Sequence, residues 1–175
     1  MKRIEDAPKD CILTYSGIYV NVFEPTTDMF VIEDIAHALS HECRFSGHVP
    51  RFYSVAQHSI LCMNLASNEA KFQSLMHDAS EAYLRDIATP IKQRLSGYKE
   101  IENNLMKVIG DKFGFNWPML EEVKHIDAAM LQFEWDNLMS ENNLEFETYN
   151  SSKAKEEFLK AYYSICKSDS LLTTL

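Results

Sequence analysis

Five glycines and five prolines are all that punctuate a chain of 175 residues, roughly half the usual share of each. Tight turns lean on these two residue types, so few can be built here. Long helices joined by short connections fit such a chain best. The same scarcity removes some chemistry. No two of Gly17, Gly47, Gly97, Gly110 and Gly114 stand in G-x-G, and there is no G-x-x-x-x-G-K. A glycine-rich phosphate cradle is therefore excluded.

Hydrophobic residues make up 46% and charged residues 25%, an ordinary globular mixture. A net charge of −9 argues against binding a nucleic-acid polymer, which needs a basic surface. A small phosphorylated substrate stays compatible, because a metal ion and one or two cations can neutralise it locally. Cys11, Cys43, Cys62 and Cys166 form no C-x-x-C pair, which excludes a cysteine-type structural zinc site. The start MKRIEDAPKD has no apolar core of a signal peptide, and no stretch reads as a membrane span. The expectation is a cytoplasmic protein.

The chain reads as a single domain over 1–175, with a hairpin and lead-in over 1–30 and a helical core over 31–167. Residues 12–23, ILTYSGIYVNVF, predict a short hairpin around Ser16-Gly17. Thr26-Thr27-Asp28 is expected to cap the helix that follows, over 31–43. Residues 44–53 read as a loop. Ser54 is expected to cap a helix to about Ala66. Further helices are predicted over 69–83, over 98–113, over 118–140 and over 151–167, with a short one after Pro90. The fold class is all-α, a helical bundle with a small N-terminal β-hairpin.

Three of these helices carry polar groups where apolar ones are expected. His77-Asp78 sits inside the apolar run SLMHDASEAYL, and Glu81 lies one turn past His77. His58 lies on the stripe Ser54–His58–Cys62. Asp127 lies between Val123 and Leu131. A buried carboxylate is costly unless it is paired or ligates a metal. Two imidazoles and two carboxylates suit a divalent transition metal with open positions for water and substrate. Such an ion lowers the pKa of its water and polarises a phosphoryl oxygen.

The order H…HD…D on helices, with the segments DIAHALSHECRFSGH, FYSVAQHS, LMHDASEAYLRDIATPIK and VKHIDAAML, resembles the HD-domain metal-dependent phosphohydrolases. The likeness runs from about Val31 to Glu134. It is nearest to the small 5′-deoxynucleotidase type and to short phage proteins, some of them dATP triphosphohydrolases. The resemblance implies a deoxynucleotide phosphohydrolase with His58, His77, Asp78 and Asp127 on zinc, cobalt or manganese, and magnesium on the substrate phosphates. It implies Glu81 as the catalytic glutamate and Asp86 as an aspartate near the sugar or leaving group. It also implies Arg44 on the phosphate, Phe45 beside the substrate, and Lys92 as a further phosphate contact. Two positions depart from the nucleotidases. Gln57 replaces a glutamate and Phe45 replaces a tryptophan, and both bear on base or phosphate-chain preference.

Other features admit plainer readings. His48, beside Gly47, is placed to reach phosphates. His37 and His41 are one turn apart, a spacing open to a second metal, while His125 points elsewhere. Tyr15, Tyr19 and Phe23 alternate on the hairpin as core, base-pocket wall or oligomer contact. Phe158, Tyr162 and Tyr163 are candidates for a homo-oligomer face. The alternatives to a nucleotide hydrolase are a non-catalytic nucleotide-binding module, which has no need of Glu81, and a cyclic-nucleotide phosphodiesterase, which generally has more histidines downstream of the H-D pair.

Overall fold

The computed structural model describes residues 7–139 and 147–172, with side chains through residue 167. The fold is mostly α, with a two-stranded antiparallel hairpin at its start. Strands β1 (Cys11–Leu13) and β2 (Tyr19–Asn21) pair Ile12 with Val20. The turn between them is tied to the helices. The Ser16 amide and hydroxyl both donate to the Asp34 carboxylate, each at 2.7 Å. That pairing accounts for a nearly buried acid at the start of α1 (Ile32–His41).

Thr26, Thr27 and Asp28 do not cap α1. The Thr26 hydroxyl donates to Asp28 at 2.6 Å, and residues 27–29 form a separate 3-10 turn. Helix α1 begins behind Val31, which has no side-chain acceptor to offer. Ser54 does cap α2 (Val55–Leu65), accepting from the Gln57 amide at 3.2 Å.

Helix α2 is the centre of the molecule. It packs against α1, α3 (Lys71–Met76), α7 (Glu121–Glu134) and α8 (Ser151–Leu172). Its residues Val55 to Ile60 are all buried, as expected of a helix enclosed on every side. Around it lie Phe30, Ile35, Leu39, Leu75, Met76, Leu105, Met106, Ile109 and Phe158. Phe158 is fully buried in this core, so it cannot form an oligomer face. Tyr163 is exposed and donates to Glu33 at 2.7 Å. Tyr15 and Phe23 are exposed rather than core. No helix among the described residues is long and apolar enough to cross a membrane.

The helix expected over 69–83 is interrupted. Helix α3 stops at Met76, and α4 (Glu81–Leu84) starts only after a turn. Across the gap the backbone bonds tighten to three-residue spans, Ala79 N to Met76 O at 3.0 Å and Glu81 N to Asp78 O at 2.9 Å. Two short segments follow, α5 (Thr89–Lys92) and then α6 (Tyr98–Phe113). Helix α6 ends at Gly114, whose φ of +84° is the left-handed conformation such a stop requires. The chain then folds back over Gly110, where an added Cβ would meet the Phe115 carbonyl at 2.6 Å. The long helix expected over 118–140 is shorter: α7 starts at Glu121 and passes at Glu134 into a π-turn over Trp135–Met139, and residue 140 lies outside the described residues.

Candidate metal centre

Just past the break after Met76, the side chains of His77 and Asp78 bend toward one point. On a regular helix these neighbours would diverge by about 100°. Here His77 Nε2 and Asp78 Oδ2 stand 3.2 Å apart. Helix α2 adds His58, whose Nε2 is 3.1 Å from His77 Nε2 and 3.7 Å from Asp78 Oδ2. Helix α7 adds Asp127, with Oδ1 at 3.1 Å from His58 Nε2 and 3.7 Å from His77 Nε2. Ligands of a tetrahedral zinc ion, bound at roughly 2.0–2.1 Å, lie about 3.3 Å from one another. The spacing therefore matches a metal site. Two sides of it are closed by the buried histidines, while the half-exposed Asp127 side chain leaves it open to solvent.

Hydrogen bonding on the far side of each ring fixes what the rings present. His77 Nδ1 donates to the Ser74 carbonyl at 2.8 Å. His58 Nδ1 donates to Glu134 at 2.6 Å. In their neutral forms both rings thus turn an Nε2 lone pair to the centre, where carboxylate oxygens are also gathered. Acceptors facing acceptors need a cation between them or extra protons. Without an ion the protons come: burial pulls the His77 imidazole down, but Asp78 and Asp127 push it further up, to about 9. Asp127 shows the same coupling, with burial raising its carboxyl and the two histidines holding it far below the usual range.

Cys62 was missed by the sequence reading as a group near the centre. His58, Cys62, His77 and Asp127 each bring a ligand atom within 4.8 Å of the others, so this cluster can hold a metal ion. The sulfur lies 3.5 Å from His58 Nε2 but also 3.9 Å from Nδ1. A position so near both nitrogens is against the ring, not along the Nε2 lone pair. Asp78, though not in that group, has its Oδ2 3.2 Å from His77 Nε2 and 3.7 Å from His58 Nε2.

Glu134 was missed as well. It is fully buried and accepts from four donors: His58 Nδ1, the Tyr53 hydroxyl at 2.7 Å, and Arg44 Nε and Nη2 at 3.0 and 2.9 Å. Burial alone would raise its carboxyl; the His58 and Arg44 contacts more than reverse that. Glu134 stands seven residues after Asp127, two turns along the same helix face, which is the signal in the sequence that points to it.

Arg44 therefore spends one edge of its fork on Glu134. Its Nη1 remains on the site side, 3.8 Å from Asp78 Oδ2. The loop that carries it is strained: Phe45 and Ser46 have φ of 55° and 53°. Non-glycine residues adopt this conformation at a cost of about 1–3 kcal/mol each. Glu81 is nearly buried, and its Oε2 has no hydrogen-bond partner among the described residues. Burial, then Asp78 and Asp86, raise its carboxyl well above the usual range. Asp86 is partly buried, and burial raises its carboxyl against the pull of Arg44.

Lys92 is paired with Glu102 and lies over the Tyr98 ring at 5.3 Å, yet it stands near enough to Glu81 and Asp86 to pull both carboxyls down against the effect of burial. The other candidates are not gathered in. His48 is exposed, and its imidazole makes no hydrogen bond or ion pair among the described residues. His37 stacks on Tyr15 with ring centroids 3.9 Å apart and has the Lys155 ammonium 3.5 Å from Nδ1, poor company for a second cation. His125 is exposed. Gln57 is buried beside His58 and holds the chain at 147–149, donating to the Glu147 carbonyl and accepting from the Tyr149 amide, both at 2.8 Å. A glutamate could not make the first of these bonds, so the departure at this position has a structural role.

No family model matches the chain. The uncharacterized protein YfdR of Escherichia coli K12 is 46% identical over 123 residues, which cover 70% of this chain and 69% of YfdR. The uncharacterized protein RCAP_rcc00048 of Rhodobacter capsulatus is 30% identical over 137 residues, covering 70% of each.

Proposed function

This chain belongs to the family of YfdR and RCAP_rcc00048, and we propose that it is a metal-dependent phosphohydrolase of deoxynucleotides, of the HD-domain type. The observation that carries the reading is the convergence of two Nε2 lone pairs and two carboxylates from three elements on one point open to solvent. His58, His77, Asp78 and Asp127 would hold zinc, cobalt or manganese. The bound ion supplies Lewis acidity, acidifying water and offsetting phosphate charge.

The protein's own groups do the rest. Arg44 Nη1 takes a phosphate oxygen, held in place by the Glu134 pairing of its other edge. Glu81 takes the proton of the attacking water. A carboxyl with a raised pKa is a stronger base than an ordinary one, which supports that assignment. Asp86 faces the sugar or the leaving group. The buried, unpartnered oxygen of Glu81 favours turnover over a site that only binds, because a binding module has no need of it.

The test is phosphate release from a panel of deoxynucleoside mono- and triphosphates and ribonucleotides, with and without chelation. Release from a deoxynucleotide that chelation abolishes and zinc, cobalt or manganese restores is the expected result, with deoxyadenosine substrates foremost. Hydrolysis indifferent to chelation overturns the reading, as does a metal-loaded protein that leaves the whole panel intact.

A further inference from the structure

Trp135 is the first residue of the π-turn that follows Glu134, and it is 54% exposed. Its ring lies 6.4 Å from that of Phe45, centroid to centroid, at an interplanar angle of 56°. Phe45 in turn lies under the Arg44 guanidinium, 5.7 Å from Cζ. Arg44 Nη1 reaches to 3.8 Å from Asp78. An unbroken path of side chains thus runs from the candidate metal centre through a cation to two aromatic rings. Both ring-bearing residues adjoin, in sequence, a member of the buried Arg44–Glu134 pair, so their placement is fixed by the group that orients His58. A π-turn is an uncommon element, frequently found at functional sites.

We propose that Trp135, together with Phe45, forms an aromatic jaw that receives the planar base of the substrate, and that Trp135 determines specificity at this site. The idea rests on the phosphohydrolase reading above and names the part of the substrate it selects. The two rings are tilted by 56°, Trp135 is exposed to solvent, and Arg44 lies against Phe45. A phosphorylated compound with a flat heterocycle fits that layout, phosphate toward Arg44 and ring against Trp135. Stacking tolerates any base but favours the larger face of a purine.

Isothermal titration separates this from a structural role. The protein used is the metal-loaded Glu81→Gln form, in which turnover is slow, titrated with deoxyadenosine mono- and triphosphate and with inorganic tripolyphosphate as the probe without a base. Trp135→Ala should weaken the better-bound nucleotide about 5–150-fold, the range of base–aromatic stacking. Trp135→Phe should recover most of that loss. Tripolyphosphate affinity should be unchanged in both. Unchanged nucleotide affinity in Trp135→Ala overturns the proposal, and so does an equal loss for tripolyphosphate, which would mean a disturbed loop. If the parent Glu81→Gln protein binds no nucleotide at all, the function itself is wrong and the jaw falls with it.

Discussion

Glu81→Gln should keep its metal and its nucleotide affinity and yet release phosphate about 10²–10⁴-fold more slowly, the usual worth of a positioned acid–base group. The substitution keeps the shape of the side chain and removes its ability to take a proton. The Glu81 carboxyl is nearly buried, unpartnered at Oε2, and raised by burial and by Asp78 and Asp86. Among the described residues no hydrogen bond to Oε2 has to be broken. Metal analysis, nucleotide titration and phosphate release on the one protein check the three parts. Turnover close to that of the parent would transfer the proton to Asp86 or to solvent.

Glu134→Gln should be the most destabilising change near the site. The parent carboxylate satisfies one imidazole, one hydroxyl and one side of a guanidinium. An amide supplies only one acceptor oxygen and sets an NH2 against groups that are themselves donors. The Arg44 guanidinium, buried beside it, loses its counter-charge. Breaking a buried pair in this way costs about 3–5 kcal/mol. A thermal melt reads that loss. In the protein that still folds, His58 is no longer held by a carboxylate, and metal affinity should fall about 10–100-fold, as for other partners of ligating histidines. The sign of the pH dependence follows from the lowered carboxyl pKa of Glu134. Its contribution is complete above the unfolded carboxylate range and is lost as pH falls through the folded value. A Glu134→Gln protein with parental stability and metal affinity would remove Glu134 from the account.

The helices were legible because apolar spacing and turn residues agree along most of the chain. Ser54 before the VAQHSILCM run is a case in which local chemistry and final structure coincide. The polar intrusions at His58, His77, Asp78 and Asp127 were legible for a related reason: a charge on an apolar face is conspicuous against its neighbours. The break after Met76 was not, since LMHDASEAYL contains no glycine or proline and each residue in it tolerates a helix. That run departs from helical spacing where His77 and Asp78 meet His58 and Asp127, and no pattern within a single segment reports such a contact. Glu134 escaped notice because its environment is made by Arg44 and Tyr53, more than eighty residues earlier in the chain than itself. Arg44 was placed near the centre, but the division of its fork between Glu134 and the site depends on that same distant pairing.

The most direct test of the metal centre is anomalous X-ray scattering from crystals of the protein loaded with zinc or cobalt. One strong peak is expected within bonding distance of His58 Nε2, His77 Nε2, Asp78 Oδ2 and Asp127 Oδ1. A peak on His37 and His41, or no peak at the His58–His77 pair in a protein that carries the metal, would contradict it.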